Sequence, residues 1–180
     1  MRRGATRPAV MLNSAPPIRP DLTDARLGAL YAYWDGKRAQ RAMPTRADVD
    51  PLEMRAWLGN LLLIDATSDG RFVYRLYGTK FVDSFGLDMT GRSVDELPAD
   101  QRERVRSDYE AVRSTGQPRA RLYTALFDGV PGGLRARAKA EQTPQVVTWE
   151  RLILPLGDAA GGVAMLLVGA YPLSDLRPST

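Results

Sequence analysis

Leu27, Leu30, Tyr31 and Trp34 recur at i, i+3, i+4 and i+7, the spacing of one apolar helix face. The pattern predicts a helix from Asp21, with Asp21 as cap and Asp24 in the first turn, where negative charge suits the helix dipole. Met43-Pro44 breaks the chain beyond it. Asp50-Pro51-Leu52-Glu53 then reads as a second helix start: Asp50 caps, Pro51 takes the first helical position, and Glu53 completes a capping-box-like pattern. Met54, Trp57 and Leu58 share its face, and Gly59 stops it.

The period then changes to two. Leu61–Asp65 and Arg71–Tyr77 read as strands around the turn residues Ser68-Asp69-Gly70. Phe72, Tyr74 and Leu76 alternate onto one face, and Arg71, Val73, Arg75 and Tyr77 onto the other. Gly78-Thr79 opens a short helix carrying Phe81 and Phe85 at i, i+4. A longer helix follows Pro98, with Asp100 and Glu103 at capping-box spacing, Val105, Tyr109 and Val112 as its buried stripe, and Gly116 and Pro118 beyond its last turn. The last third is β-like: Arg119–Phe127 alternates weakly, residues 128–145 form a Gly/Pro-containing excursion, and Val146–Leu156 and Val163–Tyr171 are strong strands. Leu152, Leu154 and Leu156 share one face with Trp149 and Ile153 on the other, and Val163–Tyr171 is apolar on both faces. A sheet with one wet face alternates apolar with polar, so this sheet should be covered on both sides. The unassigned apolar stripe Leu27, Leu30, Tyr31 and Trp34 is expected to pack on the face that shows Trp149 and Ile153, in its own chain or in a partner's.

Composition narrows the chemistry. A chain of 180 residues, 44% apolar, suits one domain with a single core and extensions. It has no Cys and no His, which removes disulfides, thiolate nucleophiles and most metal sites. Of 25 Lys and Arg against 21 Asp and Glu, Arg2, Arg3, Arg7 and Arg19 precede residue 21 without an acid, so the net +4 belongs to that segment and the body is neutral. A neutral body lacks the basic stripe of a nucleic-acid surface. Residues 1–20 are expected to be a disordered basic leader without a signal-peptide core. The longest nearly apolar run is too short to span a membrane, so a cytoplasmic protein is expected. The division expected is 1–20 leader, 21–42 N-terminal helix, 43–173 main domain and 174–180 tail.

The stretches MPTRADVDPLEMRAWLGNLLLID, RFVYRLYGTKFVDSFGLDMTGRS and ERLILPL, in this order and spacing, resemble a PAS family of short, mostly stand-alone bacterial proteins. The resemblance runs from about Leu22 to Leu173. It implies an α+β fold with a five-stranded antiparallel sheet, helices over one face, and a sensory or regulatory role; the N-terminal helix is expected on the other face.

Some PAS domains hold haem through His and others photoreact through Cys; neither His-ligated haem nor a Cys–flavin adduct is possible here, and the cofactor is otherwise unknown. Tyr74, Phe81, Phe85 and Trp149 are the aromatic residues expected to border a ligand cavity, with Tyr74 and Thr79 as polar handles. A filled aromatic core is the competing reading of these residues. Arg119, Arg121, Arg135, Arg137 and Lys139 could hold a phosphate, but no Gly-rich loop precedes a helix there and a solvated strand face is expected. Asp48, Asp50 and Glu53 lie close in sequence, but capping explains Asp50 and Glu53, and no nucleophile–base set suggests an enzyme. The expected function is therefore a non-catalytic sensor that binds an unknown small molecule and signals to a downstream protein. It is expected to be a homodimer, with Leu27, Leu30, Tyr31, Trp34 and Ile153 at a dimer or helix–sheet interface. A ligand-free dimerising adaptor is the first alternative, and a nucleic-acid-associated regulator using the leader is the second.

Overall fold

In the computed structural model, residues 19–127 and 145–173 are described. Residues 1–18 of the expected leader, residues 128–144 of the excursion with Arg135, Arg137 and Lys139, and the tail 174–180 lie outside them. The elements are α1 (Ala25–Lys37), β1 (Leu61–Ala66), β2 (Phe72–Tyr77), α2 (Thr79–Phe85), α3 (Ala99–Thr115), β3 (Arg119–Phe127), β4 (Gln145–Gly157) and β5 (Val163–Pro172). The strands form one antiparallel sheet in the order β2-β1-β5-β4-β3. This is the five-stranded α+β arrangement that the resemblance implies.

Two apolar layers sandwich the sheet. On one side, Phe72, Tyr74, Phe81, Met89, Tyr109, Val112, Trp149, Ile153, Leu166 and Val168 are buried together beneath α2 and α3. On the other, Leu27, Leu30, Tyr31 and Trp34 of α1 pack against Leu61, Leu152, Leu154, Leu156, Leu167 and Tyr171. Both faces are thus covered within one chain, and α1 supplies the second cover.

The face beneath α1 is the opposite of the one expected. Trp149 and Ile153 lie under α2 and α3, and the row Leu152, Leu154, Leu156 meets α1. Two physical reasons fix this choice. Arg151 shares the face of Trp149 and Ile153 and pairs with Asp108 of α3. Under the apolar stripe of α1 its charge would be buried without a partner. The leucine row also flanks Gly169, where α1 comes so close that a Cβ would lie 2.6 Å from Leu30 Cδ2. Ile153 is therefore no part of the α1 interface.

Helix α1 starts at Ala25 rather than Asp21. The buried carboxylate of Glu150 accepts the Thr23 and Asp24 backbone N–H groups at 2.8 and 2.7 Å, which commits that segment to the sheet. Asp24 then caps, accepting from the Arg26 N–H at 2.8 Å. No regular helix follows Asp50. Residues 51–57 form irregular turns, with Leu52 N–H on Asp50 Oδ1 and Trp57 N–H on the Met54 carbonyl. Too few residues separate Asp50 from β1 for a helix to repay its nucleation cost. Glu53 is drawn to Lys37 at 2.6 Å, and the Trp57 indole donates to the Arg26 carbonyl. At α3, Pro98 occupies the cap position and no side chain caps it.

A β-bulge accounts for one further difference. Leu63 pairs with Leu76 but Ile64 pairs with Tyr74, so Arg75 is the extra residue of β2. The bulge inverts the alternation beyond it. Tyr77 joins the aromatic layer under α2, and Leu76 turns to the α1 side.

Candidate functional site

The two phenylalanines of α2 are one turn apart, so both rings drop onto the same patch of sheet. Phe81 and Phe85 stack at 6.4 Å, and each lies 6.0 Å from the Trp149 ring. Tyr123, directly opposite Trp149 in the β3–β4 ladder, stacks on its indole at 6.4 Å. Tyr77 adjoins Phe81 at 5.6 Å and meets Tyr74 edge-on at 5.3 Å. Phe72 and Tyr109 close the cluster from the α3 side. Of the residues expected at a cavity, Tyr74, Phe81, Phe85 and Trp149 come together here. Thr79 does not: it is exposed in the first turn of α2, beside Gly59.

Burial keeps the tyrosines of this cluster neutral. It pushes the Tyr74, Tyr77, Tyr109 and Tyr123 hydroxyls above the usual phenol range, and neighbouring phenols reinforce it at Tyr74 and Tyr77. They can hydrogen-bond to a ligand without carrying charge. The Trp149 indole N–H is a further donor. Trp149 is 4% exposed, and its Nε1 has no acceptor.

Next to the rings lies a charged column. The β3–β4 register sets Tyr123 opposite Trp149, Arg121 opposite Arg151 and Arg119 opposite Ile153. Asp108 of α3 faces all three arginines. Its Oδ2 accepts from Arg151 Nη2, and its Oδ1 lies 3.2 Å from Arg119 Nε and 3.3 Å from Arg121 Nε. The Arg151 guanidinium lies 5.2 Å from the Tyr123 ring centre and 5.8 Å from that of Tyr109. Arg151 Nε is buried without a hydrogen-bond acceptor, and Arg119 Nε is buried with the Asp108 ion pair but no well-aligned hydrogen bond.

Sequence reasoning missed Tyr77, Tyr109, Tyr123, Asp108 and Arg151 as members of this site. The bulge at Arg75 hid Tyr77, and Tyr109 read as one more apolar position of a helix stripe. Arg151 carried a usable signal: a lone arginine between Trp149 and Ile153 on one strand face must find a carboxylate.

Among the described residues no group of His, Cys, Asp and Glu could hold a metal ion, and no helix is long and apolar enough to cross a membrane. An apolar groove of about 60 Å³ lies on the other side of the sheet, lined in part by Val49, Met54, Leu58, Leu63 and Leu76.

The folded chain is similar to several solved structures at low identity. The PAS domain of BvgS from Bordetella pertussis shares 18% identity, covering 71% of this chain and 92% of that one, with a TM-score of 0.45. The N-terminal domain of a diguanylate cyclase with PAS/PAC sensor from Marinobacter aquaeolei shares 13%, covering 64% and 95%, with a TM-score of 0.43. VqmA of Vibrio cholera, in a ligand–DNA complex, shares 16%, covering 71% and 53%, with a TM-score of 0.45. No curated protein matches the chain. The family model of the PAS domain matches residues 23–171, which takes in α1, all five strands up to Tyr171 and the aromatic cluster on the α2 and α3 side of the sheet. This chain belongs to the PAS domain family, and its role is sensory or regulatory.

Proposed function

We propose that the chain is a non-catalytic cytoplasmic sensor that takes a small ligand at the aromatic cluster between the sheet and α2. The reading is carried by one observation: the Trp149 indole N–H, buried at the centre of that cluster, has no acceptor. A buried donor without a partner costs on the order of 1–3 kcal/mol, and a ligand oxygen would recover it. Aromatic walls with a few polar groups are the usual make-up of a small-molecule site.

Strand β4 offers a route for the signal. Consecutive residues point to opposite faces. Arg151 holds α3 through Asp108 on the ligand side, and Glu150 holds the start of α1 on the other. A ligand that shifts Arg151 therefore acts on the strand that anchors α1. Exposed Leu58 and Leu76 border the apolar groove on the α1 side, which supports contact with a downstream protein or a second copy there.

Mass spectrometry of protein isolated under native conditions tests the reading, joined to a thermal-shift screen of the wild type and Phe85→Ala. A co-purifying small molecule, or compounds that stabilise the wild type and change rank in the variant, is the expected outcome. A second reading, a ligand-free adaptor, is favoured by the ring spacings of 5.3–6.4 Å, which leave the cluster closely packed. If no compound stabilises either protein and none co-purifies, the sensor reading fails and the adaptor stands.

A further inference from the structure

Three guanidinium groups converge on one carboxylate. Arg119, Arg121 and Arg151 are each within ion-pair distance of Asp108, and among the described residues no other carboxylate pairs with any of them. One arginine would satisfy Asp108. The other two add positive charge to a region that already sets Arg121 directly opposite Arg151 in the ladder, an arrangement that repels.

The donors are also built and unspent. Arg151, with 8% of its side chain exposed, is held by Asp108 and by the Tyr109 and Tyr123 rings, and its Nε has no acceptor. Trp149 Nε1 is likewise buried without one, while Arg119 Nε faces Asp108 Oδ1 at 3.2 Å. Trp149 and Arg151 are two residues apart on the same face of β4, so both side chains rise from one side of the sheet. Side chains of Arg119 and Arg121 are 34% and 51% exposed, which puts the outer end of the column in contact with solvent. Arginine forks match the paired oxygens of carboxylates and phosphates.

We propose that Arg119, Arg121 and Arg151, together with the Trp149 indole N–H, bind the anionic group of a small organic acid or phosphate ester whose body lies against the aromatic cluster. Asp108 is the internal counter-ion that the ligand competes with. Binding draws the arginines away from Asp108 and so loosens α3 from the sheet. The inference rests on the aromatic cluster being a ligand site and adds the charge of what enters it.

The test measures binding of benzoate, inorganic phosphate and neutral benzamide to the full chain at fixed ionic strength, by calorimetry and thermal shift. Benzoate or phosphate should bind saturably, and benzamide should bind more weakly than benzoate. Arg121→Gln, at a half-exposed position, should weaken the anion by about tenfold. Asp108→Asn should tighten it, because the competing carboxylate is gone; an ion pair that serves the fold alone would give no such gain. Should Asp108→Asn not fold, the Arg121→Gln comparison decides. Saturable binding of benzamide equal to that of benzoate overturns the charge assignment and leaves a ligand site intact. Absence of anion binding in the wild type and in every folded variant overturns the proposal, and absence of all small-molecule binding removes the sensor reading with it.

Discussion

At the scale of single residues, the molecule places its tyrosine hydroxyls where their protonation is tied to folding. Tyr74, Tyr77, Tyr109 and Tyr123 all titrate above the free phenol because burial disfavours their anions. A raised folded-state pKa stabilises the fold fully below the unfolded value of about 10, and that stability is lost as pH rises past it. Alkaline unfolding should therefore be steep above about pH 10, with tyrosinate absorbance appearing together with loss of secondary structure. Tyrosinate that forms gradually in a still-folded protein would refute it. Asp108 and Arg151 should behave unequally. Asp108→Ala leaves a buried guanidinium without its carboxylate and should cost about 3–5 kcal/mol. Arg151→Met removes the buried charge, leaves Asp108 with Arg119 and Arg121, and should cost clearly less. Equal losses in urea melts would show that packing rather than charge sets both values.

At the scale of elements, close approach decides which surfaces meet. Helix α1 lies flush on β5 because Gly169 has no side chain; a methyl there would stand 2.6 Å from Leu30 Cδ2 and 3.0 Å from Leu27 Cδ2. Gly169→Ala should cost about 1–3 kcal/mol by overpacking, and Leu30→Ala in the same chain should cost less than the two single losses added together. Strict additivity in chemical denaturation would mean that α1 shifts as a body. The same contact marks the limit of what was legible in the sequence. The strands and the α1 stripe could be read, because periods of two and 3.6 depend on neighbouring residues alone. Which sheet face took α1 could not: both rows of β4 are apolar, and the choice lay in Gly169 and in the charge of Arg151, each meaningful only against a distant partner. Tyr77 and Leu76 exchanged faces for a comparable reason, since the bulge at Arg75 is a property of strand pairing. Thr79 was misplaced because the first turn of α2 points away from the aromatic layer that its third and seventh residues enter.

At the scale of the whole molecule, the sheet is finished by chain that is not a strand. The β3–β4 ladder reaches Ile153 and stops there, although β4 runs on to Gly157. Beyond it stands Pro155, which has no N–H to offer a neighbour, and whose carbonyl accepts from the Trp34 indole at 2.7 Å. The Pro44 carbonyl then accepts from the Gly157 N–H at 2.8 Å. Helix α1 and the segment after it thus occupy the flank that β3 leaves vacant, and they cover the row Leu152, Leu154, Leu156 as well. A fragment beginning at Met43 keeps the Pro44 contact to Gly157 but loses the Trp34 bond to Pro155 and the α1 cover of the leucine row. It should aggregate and show no cooperative thermal transition; a soluble monomer with a sharp melt would refute this. An open strand flank beside bare leucines is the kind of edge that recruits other chains. It follows that the heritable module is larger than its sheet. A fusion or exchange that cuts between α1 and β1 severs a closure made by residues more than a hundred positions apart, whereas a junction placed ahead of Thr23 keeps the Glu150 clasp and moves the domain whole.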